Sequence, residues 1–244
     1  MWTAETVLAV SLTFILAGTV KGVIGMGLPS VSLGILTIIL GLQPAMALLL
    51  VPSLVTNIWQ GCAGGRLAEL MHRLWLFLAC AALGIWAGVE ILAGADVGLL
   101  AKLLGALLVA YALLGLATPQ LSLPRRSEGW AGPVAGAVNG ILTGLTGSFV
   151  VPGVPYLQAL GLGRDALIQA MGILFTVSTV ALAIALGGKR LITGDQALLS
   201  AIAVLPALLG MVLGQRIRRY LSEAVFRKTL FLSLLALGLY IIVR

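Results

Sequence analysis

Apolar runs follow one another along almost the whole chain, at about residues 5–24, 28–41, 45–62, 74–93, 98–117, 130–147, 149–161, 166–187, 196–214 and 225–243. Only charges and Gly/Pro clusters cut them. A helix crossing a hydrocarbon core of roughly 30 Å uses about 20 residues, so the chain has room for about eight to ten hydrophobic segments and little loop. Only 9% of its residues are charged, against about a quarter in soluble domains. Such a chain has no surface to offer water, and no soluble catalytic domain fits in the remainder. The expected fold is an all-α polytopic membrane protein in contact with the lipid bilayer. Cys62 and Cys80 lie inside apolar runs, which excludes a disulfide framework and a Cys-rich metal centre; no cofactor and no metal are expected. The stretch Met1 to Ser11 has no basic n-region and carries Glu5, so a cleaved signal peptide is not expected. The net charge of +7 reads as loop charge biased toward one membrane face. Nucleic-acid binding would need a clustered soluble patch, which the sequence lacks.

The runs repeat. Ala17-Gly18-Thr19-Val20-Lys21-Gly22-Val23-Ile24 lines up with Ala135-Gly136-Ala137-Val138-Asn139-Gly140-Ile141-Leu142 at an offset of 118. Gly41-Leu42 matches Gly161-Leu162, and Gly64-Gly65-Arg66-Leu67 resembles Gly187-Gly188-Lys189-Arg190-Leu191. Leu83-Gly84-x-x-x-Gly88 matches Leu209-Gly210-x-x-x-Gly214, and Lys102 falls opposite Lys228, both at an offset of 126. Five matches in order define two transmembrane repeats, 1–120 and 121–244, within one membrane domain.

Loop charges choose between parallel and inverted halves, because every loop is short. With an even number of crossings per half, the basic residues divide seven against seven and give no orientation. With an odd number, Arg66, Arg73, Arg125, Arg126, Arg164, Arg216, Arg218, Arg219, Arg227 and Lys228 share one face. Lys102, Lys189, Arg190 and Arg244 share the other, beside Glu5, Glu90, Asp96 and Asp195. Ten against four favours inverted topology, with both termini outside.

In each half the first run ends in a Gly-rich break (Gly22, Gly25, Gly27, Pro29; Gly140, Gly144, Gly147, Pro152), and a short apolar run follows. Fourteen helical residues reach about 21 Å, which is too short for a span. The preferred reading is a broken, re-entrant helical hairpin in each half followed by three transmembrane helices; five tilted spans per half fit the charges equally. Irregular backbone at membrane depth persists only where protein or a watery cavity satisfies it. A helix restarting there aims free N–H groups at its surroundings, which suits an anion. Close helix packing through small residues is the alternative use of the same glycines. Lys21 is the one basic residue deep in an apolar run, and at a bilayer centre it costs roughly 2.5–3.5 kcal/mol, which calls for a compensating partner or a role. Its repeat partner at the offset of 118 is Asn139. Further hydroxyls and amides lie on the segments that follow: Ser30, Ser32, Asn57, Gln60, Thr143, Thr146, Ser148, Gln158, Gln169, Thr176, Ser178 and Thr179. The candidate substrate-binding set is therefore Lys21, Gly22, Gly25, Gly27, Pro29, Ser30 and Asn57, with Asn139, Gly140, Gly144, Thr146, Gly147 and Ser148.

Several chemistries are missing. The lone histidine, His72, sits in a basic loop, and no G-x-x-x-x-G-K-[ST] run occurs, so neither a His-based dyad nor ATP hydrolysis is expected. Glu90 is the nearest carboxylate for proton coupling; otherwise a coupling proton rides on the substrate.

The two breaks, K-G-V-I-G-M-G-L-P at 21–29 and N-G-I-L-T-G-L-T-G at 139–147, resemble those of the TauE/SafE family. These are the sulfite exporters, also called 4-toluene sulfonate uptake permeases. The resemblance implies transport of small sulfur anions, such as sulfite, sulfoacetate or taurine-derived products, across a bacterial inner membrane. The family's Gly-rich stretches fall on Gly22, Gly25, Gly27 and Pro29 and on Gly140, Gly144 and Gly147, with Met26, Leu145 and Thr146 interrupting. The expected function is a secondary transporter working by alternating access on a small anionic substrate, and not an enzyme. The alternatives are a passive anion channel with the same site, and a transporter or flippase of another anion such as a phosphate-bearing lipid. Monomer and homodimer both remain open.

Overall fold

Where an apolar chain has almost no charge, intrahelical hydrogen bonding is the way to satisfy its backbone. The computed structural model, which describes residues 2–117, 122–218, 220 and 222–244, is helical throughout apart from turns and short connections. In chain order the helices are α1 (Ala4–Ile24), α2 (Leu28–Leu40), α3 (Leu42–Cys62), α4 (Leu67–Leu92), α5 (Val97–Ala117) and α6 (Arg125–Thr146). There follow α7 (Gly153–Ala159), α8 (Arg164–Gly188), α9 (Gly194–Ile202), α10 (Val204–Ile217) and α11 (Glu223–Val243). The repeat boundary at 120/121 and Arg219 lie outside the described residues.

Among the described residues, seven helices are long and apolar enough to cross a membrane: α1, α3, α4, α5, α8, the α9–α10 rod and α11. Leu12, Leu83, Leu99, Leu205 and Leu209 are each more than half exposed on them. In water those side chains would form large apolar patches; in hydrocarbon they need no cover. Of the two short segments expected after the breaks, the first is the 13-residue helix α2. The second, 149–161, is a non-helical stretch, the 7-residue α7 and a turn. Pro152 stands at the N-cap of α7, and the left-handed Gly161 (φ 66°) follows soon after its end.

Two prolines interrupt the hydrogen bonding of long helices and leave carbonyls to be satisfied. Pro206 has no N–H for the carbonyl of Ile202, and the rod turns at Ala203, between α9 and α10. Pro52 likewise frees the carbonyl of Leu48 inside α3. There the buried Ser200 of α9 donates its hydroxyl to Leu48 O at 2.8 Å and accepts the Val51 N–H at 3.1 Å. A side chain remote in sequence thus repairs the helix.

The chain forms two compact units, Met1–Pro52, Asp96–Thr118 and Arg190–Arg244 in one, Ser53–Ala95 and Pro119–Lys189 in the other. In the first unit α1 packs along α10 and α5 along α11; in the second α4 packs along α6 and α8. The crossings are as close as backbones allow. A Cβ on Gly18 would lie 2.2 Å from Ala207 O, and one on Gly22 the same distance from Met211 O. On α6, a Cβ at Gly140 would lie 2.1 Å from Ala81 O, and at Gly144 2.4 Å from Ile85 O. Ala81 and Ile85 stand 126 residues before Ala207 and Met211, so these contacts equate Gly18 with Gly140 and Gly22 with Gly144. That offset is 122, one helical turn beyond the 118 of the sequence match. The ends agree: Gly25 and Gly147 are left-handed C-caps (φ 81° and 75°) whose N–H groups donate to Lys21 O and Thr143 O, each at 2.7 Å. Lys21 therefore corresponds to Thr143, not to Asn139.

Candidate functional site

In the first unit the break is built around two glycines. Gly25 ends α1 and Gly27 (φ 102°) starts α2; both conformations are left-handed and suit glycine alone at little cost. Gly27 contributes its carbonyl to the Val31 N–H at 2.9 Å, but no side chain caps α2, and Pro29 occupies its first turn, where no N–H is missed. Met26 is held at the turn by Tyr111 of α5, whose hydroxyl lies 3.0 Å from Met26 Sδ. Tyr111 in turn meets Phe231 of α11 edge-on at 5.2 Å. Lys21, in the last turn of α1, is 4% exposed and is the one buried charged side chain among the described residues. Ser30, on the first turn of α2, is buried and its Oγ has no hydrogen-bond partner.

In the second unit the break is a closed network. Thr143 Oγ1 lies 2.7 Å from Asn139 O and 2.9 Å from Ser148 O, and can donate to either. Thr146 donates to Leu142 O at 2.7 Å and accepts the Ser148 N–H at 3.3 Å. Asn139 Oδ1 accepts the N–H of Gly153, the first residue of α7, at 2.9 Å. That bond fixes the amide's orientation, so the buried Nδ2, which has no partner, is the donor left over.

The sequence-derived candidates thus separate by environment. Gly25, Gly27, Pro29, Ser30 and Lys21 come together at the first break. Asn139, Thr146, Gly147 and Ser148 come together at the second. Gly22, Gly140 and Gly144 face the backbone of a neighbouring helix, a packing demand that exists without any ligand. Asn57 is fully buried on α3. Among the other polar residues, Ser32, Thr176 and Thr179 bond to carbonyls of their own helices. Gln60 and Gln169 tie α3 to α8 through the carbonyls of Ile168 and Gly61. Ser178, and Ser53, which the sequence reading left aside, are fully buried with unpartnered hydroxyls. Nothing in their spacing sets them apart from back-bonded serines.

Near the start of α4, Arg73 grips Glu128, in the first turn of α6, with two bonds of 2.6 and 2.9 Å and reaches Leu160 O at 3.4 Å. The bonded guanidinium holds the Glu128 carboxyl below the usual carboxylate range. Lys189 and Glu90 form an exposed pair at 2.6 Å.

Residues 10–241 match the family described as sulfite exporter TauE/SafE. The chain belongs to that family. A relative in Cupriavidus necator, "Probable sulfite/organosulfonate exporter TauE", is 29% identical over 230 residues, which cover 91% of this chain and 88% of its own. No solved structure matches. As a TauE/SafE protein the chain is a multi-pass membrane transporter and not an enzyme.

Proposed function

We propose that this TauE/SafE protein moves small sulfur anions, sulfite or organosulfonates such as sulfoacetate, across the cell inner membrane as a secondary transporter. The reading is carried by one observation: a buried lysine ends α1 beside a doubly left-handed glycine turn, from which α2 restarts with no side-chain cap. A helix start of this kind favours negative charge by roughly 0.3–1 kcal/mol even at a surface, and more when partly buried. In this proposal Lys21 supplies charge, Ser30 and the first amides of α2 supply hydrogen bonds, and Gly25 and Gly27 let the backbone come close. Within its own unit the second break offers neutral donors, Asn139 Nδ2 first, with Thr146 and Ser148 shaping the turn around Gly147. Asn57 is a buried amide of α3 in that same unit. The relative's printed name supports the substrate class.

Two halves of inverted topology, with both termini outside, supply the two conformations that alternating access needs. A coupling proton travels on the substrate. The test is sulfite flux in proteoliposomes with Lys21→Met. The expected result is loss of saturable flux and of sulfite counterflow in a protein that still elutes as a folded species. Unchanged flux removes Lys21 from the site, and flux that neither saturates nor exchanges makes the protein a channel.

A further inference from the structure

At the far end of α2 from the glycine turn, the first unit contains an open cavity of about 330 Å³. It lies between the end of α2, the start of α5 and the end of α11, and two cations, Lys102 and Arg244, line it. Arg244 donates one N–H to the carbonyl of Ile38 at 2.8 Å. That bond holds a planar fork of five donors in place with the others available. Thr37 also lines the cavity; it is 8% exposed and its Oγ1 has no hydrogen-bond partner. The neighbouring carboxylate, Asp96, accepts the Gly98 N–H at 2.8 Å and is not part of the lining, so two cations line the cavity with no acidic side chain among the lining residues.

The remaining walls are apolar. Ile241 is buried, whereas Ile39 is 48% exposed, so the cavity runs from two cations out to a hydrocarbon-facing surface. Its place, where two membrane-length helices end, is the depth of lipid headgroups. Basic pockets between transmembrane helices at that depth suit anionic headgroups. A soluble oxyanion would use the cations and the hydroxyl but not the exposed apolar wall.

We propose that this cavity holds the phosphate of an anionic phospholipid, with Lys102 and Arg244 contributing charge, Thr37 Oγ1 a hydrogen bond, and Ile39 a track for an acyl chain. The shared chemistry is a phosphoryl oxyanion, and its source is read by comparing ligands. Delipidated protein in neutral detergent is titrated with phosphatidylglycerol, phosphatidylcholine or inorganic phosphate, and the thermal midpoint is followed. Phosphatidylglycerol is expected to raise the midpoint while the other two leave it unchanged. Combining Lys102→Gln with Arg244→Gln lowers the apparent phosphatidylglycerol affinity roughly 30-fold, about fivefold per cation. Removing two exposed cations at the opposite end of α11, with Arg227→Gln and Lys228→Gln, leaves it unaltered. Thr37→Val weakens the lipid effect without moving the lipid-free midpoint. Equal protection by phosphatidylcholine overturns the proposal, as does undiminished protection of the Lys102/Arg244 variant. Equal protection of the wild type by free phosphate assigns the cavity to a soluble oxyanion and overturns the lipid. The wild-type comparison stands whether or not any variant folds.

Discussion

Replacing Gly140 with alanine tests one of the tightest helix crossings and separates packing from ligand binding at one of the sequence-derived site residues. The new Cβ would lie 2.1 Å from Ala81 O and 2.9 Å from both Ala81 C and Gly84 Cα. Carbon–oxygen contacts settle at about 3.3 Å or more, so α4 and α6 have to part by roughly 1.2 Å. All three obstructing atoms are backbone, which cannot swing aside as a side chain would. A gap of 0.5–1 Å forfeits about a quarter to a half of each dispersion contact along the seam. The expected destabilisation is therefore about 2–4 kcal/mol, at or above the usual range for overpacking. Gly129, on the same helix, has nothing within 4 Å of its Cβ position. Gly129→Ala therefore gains helix propensity and up to about 1 kcal/mol. For a chain of this length 1 kcal/mol moves the midpoint by about 2–4 °C. Thermal unfolding in detergent, read by tryptophan fluorescence, is expected to place Gly140→Ala roughly 4–16 °C below the parent and Gly129→Ala at or slightly above it. Two variants that melt together refute the packing argument and the one-turn register drawn from it. A glycine needed only by a ligand would lose sulfite flux at an unchanged midpoint.

The Arg73–Glu128 tie predicts a pH dependence. Because the folded carboxyl is depressed, its contribution is full above the unfolded value of about 4.3 and is lost as pH falls through the lower folded value. Glu128→Gln is expected to cost about 1–2 kcal/mol at neutral pH and to flatten the stability profile in that acid window, as acid titration of the midpoint will read. Asn139→Leu removes the acceptor of the Gly153 N–H and is expected to cost about 1–3 kcal/mol. Asn139→Asp keeps that acceptor but exchanges the leftover donor for an oxygen, so sulfite protection falls by about tenfold or more in a thermal-shift titration. Two buried serines give opposite results in the same melt. Ser200→Ala orphans the Leu48 carbonyl and costs about 1–3 kcal/mol, whereas Ser178→Ala, with no bond to lose, stays within about 0.5 kcal/mol.

The ten apolar runs were legible because charge is so scarce that each interruption stands out, and every run carries at least part of a helix. Length alone misjudged 149–161: Pro152, Gly153 and Pro155 crowd the start of that run, and a proline ring forbids the turn before it. The sequence match at an offset of 118 lies four residues from the offset of 122 at which the helix crossings and caps correspond. Gly132, Gly136, Gly140 and Gly144 recur every four residues, so a slide of one turn leaves the small-residue pattern intact. The helix crossings and the left-handed caps Gly25 and Gly147 break the tie. That α1 would pack on α10, and α4 on α6, was not readable, since apolar faces carry no label for their partner. Nearness to the break was all that set Ser30 apart from Ser32 in the sequence. Both are buried on α2, and only the rotamer and neighbours decide that one bonds back to Leu28 O at 2.7 Å while the other does not.

The register has a chemical consequence. Packing is repeated between the halves because a crossing at carbonyl distance admits only glycine, so Gly18 and Gly140, and Gly22 and Gly144, had no freedom to diverge. Polar groups carried no such constraint, and they diverged: where the first break has Lys21, the second has Thr143, whose hydroxyl already serves the backbone. The first short helix starts without a side-chain cap, while the first amide of the second is taken by Asn139. In the transporter proposed above, two breaks alike in packing and unlike in polar chemistry keep the positive charge at the first of them. Substitutions at the crossing glycines then act on stability in both units alike, and substitutions at the breaks act unequally on transport, most strongly at Lys21.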